Sequence, residues 1–155
     1  YAKELGANEE KLYRALLVSN LVTLHEKTGI GRLSAYCGAV SAGAGAGAGI
    51  TYLHGGGCRE ISHTIVNALA VTSGIVCDGA KSSCAAKIAA AVNAGLLGWA
   101  IAQRSGYAFG AGQGIASDDA EQTIANVGRM GRDGMRQTDT EILHIMLEQK
   151  RENCS

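Results

Sequence analysis

Cys77 and Cys84 bracket the turn Asp78–Gly79–Ala80–Lys81–Ser82–Ser83, and an alanine-rich run starts at Ala85. The second thiol therefore stands where a helix should begin. A helix start offers unpaired N–H groups and the positive end of the dipole, and both favour a thiolate over a thiol. Cys37, ahead of a glycine-rich segment, completes a candidate set of three. Three sulfur ligands suit an iron–sulfur cluster and leave one coordination position for substrate. Zinc asks for closely spaced Cys or His pairs, which the gap between Cys77 and Cys84 matches badly. On spacing alone, three inert buried cysteines stay an open alternative. Asp78 and Lys81, between two of the thiols, are available to position a substrate or offset cluster charge, or equally to brace the turn.

The elements that must hold these residues read as helices. Asn8 to Lys27 forms the first, with Asn8 as N-cap and Glu9 and Glu10 in its first turn. Its apolar residues, Leu12, Leu16, Leu17, Val18, Leu21, Val22 and Leu24 among them, cover most of the circumference, so it expects to be surrounded. Thr28–Gly29–Ile30–Gly31 stops it. Ser34 to Leu53 alternates Ala and Gly. A silk-like strand is one reading; a helix, or helix pair, packed backbone to backbone is the other. A dinucleotide-binding loop is excluded, because no hydrophobic strand precedes these glycines. Cys58 to Val71 resumes helical spacing, and a long helix runs from about Ser82 to Gln103, interrupted by Lys87 and Asn93. Arg104 to Ser117 reads as a loop. Asp118 with Glu121, and Thr138 with Glu141, have capping-box spacing and predict two further helix starts. No alternating strand stands out. The expectation is an all-α, compact multi-helix domain with glycine-rich packed helices, five to seven in number, spanning 1–155.

Composition narrows the classes. The chain has 22 Gly, no Pro, and 14 basic against 14 acidic residues. A balanced charge argues against an electrostatic grip on nucleic acid or on an acidic membrane. The apolar run Ile88 to Ala102 falls short of the ~20 residues that span a bilayer and reads as a core helix. Five Cys are an odd number without an extracellular signal, so reduced thiols in the cytoplasm are expected. The first residue is Tyr1, not Met, as in a piece of a longer polypeptide or a processed chain.

The run GIVCDGAKSSCAAK over 74–87 resembles the signature of the serine dehydratase α-chain family, closest to its cysteine desulfidase branch. The tail NVGRMGRDGMRQTD over 126–139, leading to Ile145–Met146, resembles the C-terminal end of the same proteins, as does the placement of Cys37. The resemblance implies that the chain is the C-terminal helical domain of such an enzyme. It implies a [4Fe–4S] cluster on Cys37, Cys77 and Cys84, whose open iron acts as a Lewis acid on the β-substituent of an amino acid. Serine or cysteine would then give pyruvate and ammonia, with no pyridoxal phosphate. The base and much of the carboxylate pocket belong to the N-terminal part in relatives, so this stretch alone is expected to be inactive. The implied partners are a small amino-acid substrate, an N-terminal domain or companion subunit, and further copies in a homo-oligomer.

The alternative from another class is a non-catalytic cluster-binding module with a structural or sensing role. Cys58 matches no ligand position and reads as structural. Cys154 is near the end of the chain and reads either as a tail residue or as one that folds back onto the open iron. His25, His54, His63 and His144 read as satisfied or exposed. The glycines from Gly110 to Gly114 read as a linker or as a close approach to the cluster.

Overall fold

The computed structural model describes residues 1–110 and 112–152. Among them the chain is all α-helical: α1 (Glu9–Ile30), α2 (Gly38–Leu53), α3 (Cys58–Thr72), α4 (Cys84–Ser105), α5 (Ala120–Arg129), a π-helical turn Met130–Gly134, and α6 (Arg136–Glu152). The Asn8 side chain accepts from the Lys11 N–H at 2.9 Å, as the N-cap reading predicts. The helix runs three residues further than expected, to Ile30, and ends where Gly31 takes φ +97°.

The alternating Ala–Gly segment is a helix, and the alternation explains how it packs. At 3.6 residues per turn, glycines two apart fall on opposite sides, while glycines four apart share one side. Gly45 and Gly49 face α1, where an added Cβ would lie 2.5 Å from the Ser19 carbonyl and 2.9 Å from the Ala15 carbonyl. Gly43 and Gly47 face α4: a Cβ there would lie 2.4 Å from the Ala91 carbonyl and 2.8 Å from the Gly95 Cα. Two faces without side chains let α2 sit in the middle, touching α1, α3 and α4. The contacts on α4 advance in step with those on α2, from Gly43 with Ala91 to Gly47 with Gly95, so these two helices run parallel. Those on α1 regress, so α1 is antiparallel to α2.

The core gathers Ile30 of α1, Tyr36, Val40, Ile65 and Leu69 of α2 and α3 and their approach, and Ile124 and Val127 of α5. Polar groups inside it are mostly paired. Thr51 and Thr64 share a hydroxyl contact of 2.8 Å, and Asn67 ties the loop after α4 by donating to Tyr107 O and accepting from Phe109 N. Glu26 is the exception. It is 1% exposed, neither carboxyl oxygen has a hydrogen-bond partner, and the nearby Tyr36 and Ser41 hydroxyls are also buried and unpaired. Burial pushes its carboxyl up to about 8.

Four expectations need correction. The first helix is not surrounded: Tyr13, Leu16, Leu17, Leu21 and Leu24 are exposed among the described residues. The cap of α5 is Asp119, accepting from Gln122 N at 3.1 Å, one residue after the expected Asp118. No helix starts at Thr138. The chain passes from α5 through the π turn into α6 with little interruption, Met135 N bonding to Met130 O and Asp139 N to Met135 O. Finally, α4 extends to 22 residues and is long and apolar enough to cross a membrane by length and composition. Its small-residue face, Ala91, Ala94, Gly95, Gly98 and Ala102, is buried, packing on α2 and α3.

Candidate metal centre

The parallel pairing of α2 and α4 brings both helix starts to one end of the molecule. Cys37 is the N-cap of α2, six residues before Gly43, and Cys84 opens α4, seven residues before Ala91. At about 1.5 Å per residue, the two cysteines stand level to within roughly one or two ångströms along the helix direction. Two positive dipole ends therefore converge where two thiols begin. Cys77 arrives by a different route. Tyr36 and Val76 form an isolated antiparallel bridge, with Cys37 N donating to Ile75 O at 3.1 Å and Cys77 N to Ala35 O at 2.6 Å. The bridge fixes the backbones of Cys37 and Cys77 on adjacent segments.

A charged brace closes the turn between Cys77 and Cys84. Lys87, one turn into α4, donates to Val76 O at 2.9 Å and pairs with Asp78, which also pairs with Lys81. Hydrogen bonds from Lys81 and then Lys87 hold the Asp78 carboxyl down at about 2. Asp78 thus keeps its charge at neutral pH and is a poor proton acceptor. The Lys87 ammonium is raised above its ordinary value, chiefly by Asp78 and to a lesser extent by the thiols of Cys37 and Cys84. One cation thereby faces two of the three candidate ligands.

The thiols differ in access: Cys37 is buried, Cys84 half-buried and Cys77 exposed, and all are free. Cys84 Sγ is directed at Gly79 O, 3.6 Å away. Among the described residues no three His, Cys, Asp or Glu side chains stand close enough to hold a metal ion as they lie. The donors fit an iron–sulfur cluster in kind, and the backbones of Cys37 and Cys77 lie on bridged segments.

Around this end, α6 lies over the turn, with Met146 close to Gly79. The π turn packs on the approach to Cys37: Ser34 Oγ donates to Gly131 O at 2.6 Å, and a Cβ on Gly131 would lie 3.1 Å from Tyr36 Cβ. Ile115, just after the glycine loop, packs against the cluster of residues that includes Cys37. Cys58 is exposed at the start of α3. His25 pairs with Glu121, His54 stacks on Trp99, and His144 lies 4.0 Å from Glu141. Cys154 lies outside the described residues. Lys87, which the sequence reading treats as a polar interruption, is the residue it missed; a lysine three positions into a helix that opens on a cysteine was the available signal.

Comparisons with known proteins bear on the family of the chain. The family model described as serine dehydratase alpha chain matches residues 1–144. A UPF0597 protein of Desulfitobacterium hafniense is 64% identical over 149 residues, covering 96% of this chain and 34% of the relative. UPF0597 proteins of Treponema denticola and Lachnoclostridium phytofermentans are 53% and 54% identical, over 96% and 95% of this chain and 34% and 35% of theirs. The chain thus spans about a third of the length of the curated relatives it matches. No solved structure matches it. With the family model covering nearly all of its length, the chain belongs to the serine dehydratase alpha chain family.

Proposed function

We propose that the chain is the cluster-binding helical domain of an amino-acid β-eliminating lyase of the serine dehydratase or cysteine desulfidase type. It would hold a [4Fe–4S] cluster through Cys37, Cys77 and Cys84. The observation that carries this reading is the level start of two parallel helices, each opening on a cysteine, beside a bridge that delivers the third. A bound cluster would supply a Lewis acid for loss of the substrate's hydroxyl or thiol group. The products are pyruvate and ammonia, without pyridoxal phosphate.

The chain's own residues then have limited tasks. Converging helix starts and the Lys87 ammonium set positive charge at the end of the molecule that carries the cysteines. Asp78 fixes the turn through Lys81 and Lys87 and stays ionised, so it orients charge and does not take the α-proton. Lys81 is the charged group on the turn available to the substrate carboxylate. The proton acceptor comes from a companion domain or subunit, in keeping with the relatives' threefold greater length. Free cysteines fit a reducing, cytoplasmic setting, and the assembly is a homo-oligomer of the whole polypeptide.

Anaerobic reconstitution with iron and sulfide tests the reading. A brown protein absorbing broadly near about 400 nm is expected. Cys77→Ser should bleach it and Cys58→Ser should leave it unchanged. A colourless protein, or equal loss in both variants, refutes the assignment. Loading without pyruvate formation from serine or cysteine, once the companion part is present, would instead favour a structural or sensing module.

A further inference from the structure

The outer face of α1 carries a continuous apolar stripe. Tyr13, Leu17, Leu21 and Leu24 are 58%, 60%, 62% and 62% exposed, and their spacing of four, four and three keeps them on one side of the helix. The opposite side, through Ala15 and Ser19, is pressed against the glycines of α2. A helix buried on one side and apolar on the other is an inner layer, and contiguous apolar surface of this kind marks an interaction site. The stripe also leads somewhere. Leu24 lines a groove of about 490 Å³ with Lys27, Thr28, Gly31 and Arg32. The next residue, Leu33, is 94% exposed and lines the hollow that contains Cys77, Gly79 and Met146.

We propose that this stripe is the seat of the polypeptide that makes up the other two-thirds of the relatives' length, and that the docked segment follows α1 to the rim of the Cys77 hollow. A second copy is the lesser candidate. A single helical stripe laid against itself falls short of the roughly 800 Å² per partner in a standard stable interface. Two-thirds of a polypeptide has ample surface for the purpose. The path to Cys77 also brings that segment to the place where the proposed chemistry lacks a proton acceptor. The inference rests on the companion part of the functional reading alone, and its test does not depend on a cluster.

Leu17→Cys and, separately, Leu21→Cys would be introduced into the 155-residue chain. The same two changes would be made in a full-length protein, built by placing this chain in the Desulfitobacterium hafniense relative in place of the stretch it matches. Maleimide labelling of each site, followed by peptide mass spectrometry, would be normalised to the same peptide in urea. Labelling should be rapid in the short chain and at least about 100-fold slower in the full-length protein, equivalent to about 2.8 kcal/mol of protection. Equal rates in the two proteins overturn the proposal. So does protection already present in the short chain that is lost on dilution, which would make a second copy the occupant. Two independent sites keep the test decisive if one variant folds poorly, and unchanged helicity of the short chain checks that neither does. Failure here with a normal cluster spectrum would sink the docking surface and leave the metal centre standing.

Discussion

Replacing Glu26 by Gln should raise the stability of the chain at neutral pH and remove most of its decline in alkali. The carboxyl is buried with no hydrogen-bond partner, and its pKa rises from 4.5 to about 8. In the unfolded chain the proton leaves near the ordinary value; in the folded chain it stays until about 8. The stabilising effect of proton retention is therefore complete below about 4.5 and is lost progressively as the pH rises through 8. At about 1.36 kcal/mol for each pKa unit, the full loss is on the order of 5 kcal/mol, of which roughly 3 kcal/mol has gone by pH 7. Gln keeps the shape and carries no proton to lose. Thermal melts followed by far-ultraviolet circular dichroism, from about pH 5 to about pH 8.5, should show wild type falling while Glu26→Gln stays level. At roughly 2–4 °C per kcal/mol for a chain of this size, the two should differ by about 6–12 °C near pH 7. Parallel curves for the two proteins across that range would refute the argument, because they would mean that the buried carboxyl is not what titrates.

Three other substitutions test separate parts of the structure. Gly95→Ala gains about 1 kcal/mol of helix propensity, but its Cβ would lie 2.4 Å from the Gly43 carbonyl. A net loss of about 1–3 kcal/mol is expected from denaturant midpoints; a stabilised variant would disprove the close contact of α2 with α4. Asp119→Ala removes the cap on Gln122 N and should cost about 1 kcal/mol by the same assay. Asp78→Asn releases Lys81 and Lys87, so backbone hydrogen exchange over 77–83 should quicken and cluster loading should fall. The Asp78 pKa is lowered, from 3.8 to about 2, so in wild type the brace persists above the ordinary carboxyl value and is lost only as the pH falls towards 2. Loop protection that changed between pH 6 and pH 8, by about tenfold or more, would contradict this.

The residues whose chemistry is local were readable from the sequence. Asn8 caps because it precedes an acidic, apolar-rich segment, and Cys84 opens a helix because alanines follow it. The Ala–Gly run gave two readings, and only packing could choose between them: Gly is a poor helix former until a neighbouring backbone fills the space its missing Cβ leaves. Non-local features were not readable. The Tyr36–Val76 bridge is too short to show an alternation, and its partners are forty residues apart. Thr138 and Glu141 have the spacing of a cap, but the π turn had already carried the helix past them. Lys87 looked like an interruption because its partner, Asp78, sits across a loop. The candidate ligands are named from sequence alone, and the fold adds only the shared end of the molecule for Cys37 and Cys84; the ligand set itself belongs to the proposal.

The bare contact between α2 and α4 has a consequence for how this end of the molecule can change over evolutionary time. Most helix pairs meet through a layer of interlocking side chains, whose sizes can drift and shift the axes by fractions of an ångström. Here main chain rests on main chain at Gly43 and Gly95, so there is no such layer to tune, and the gap between the openings of the two helices is set by atomic radii. Any change at this end would have to be absorbed by the short span from Val76 to Ser83, which makes that span the natural place for its shape to vary.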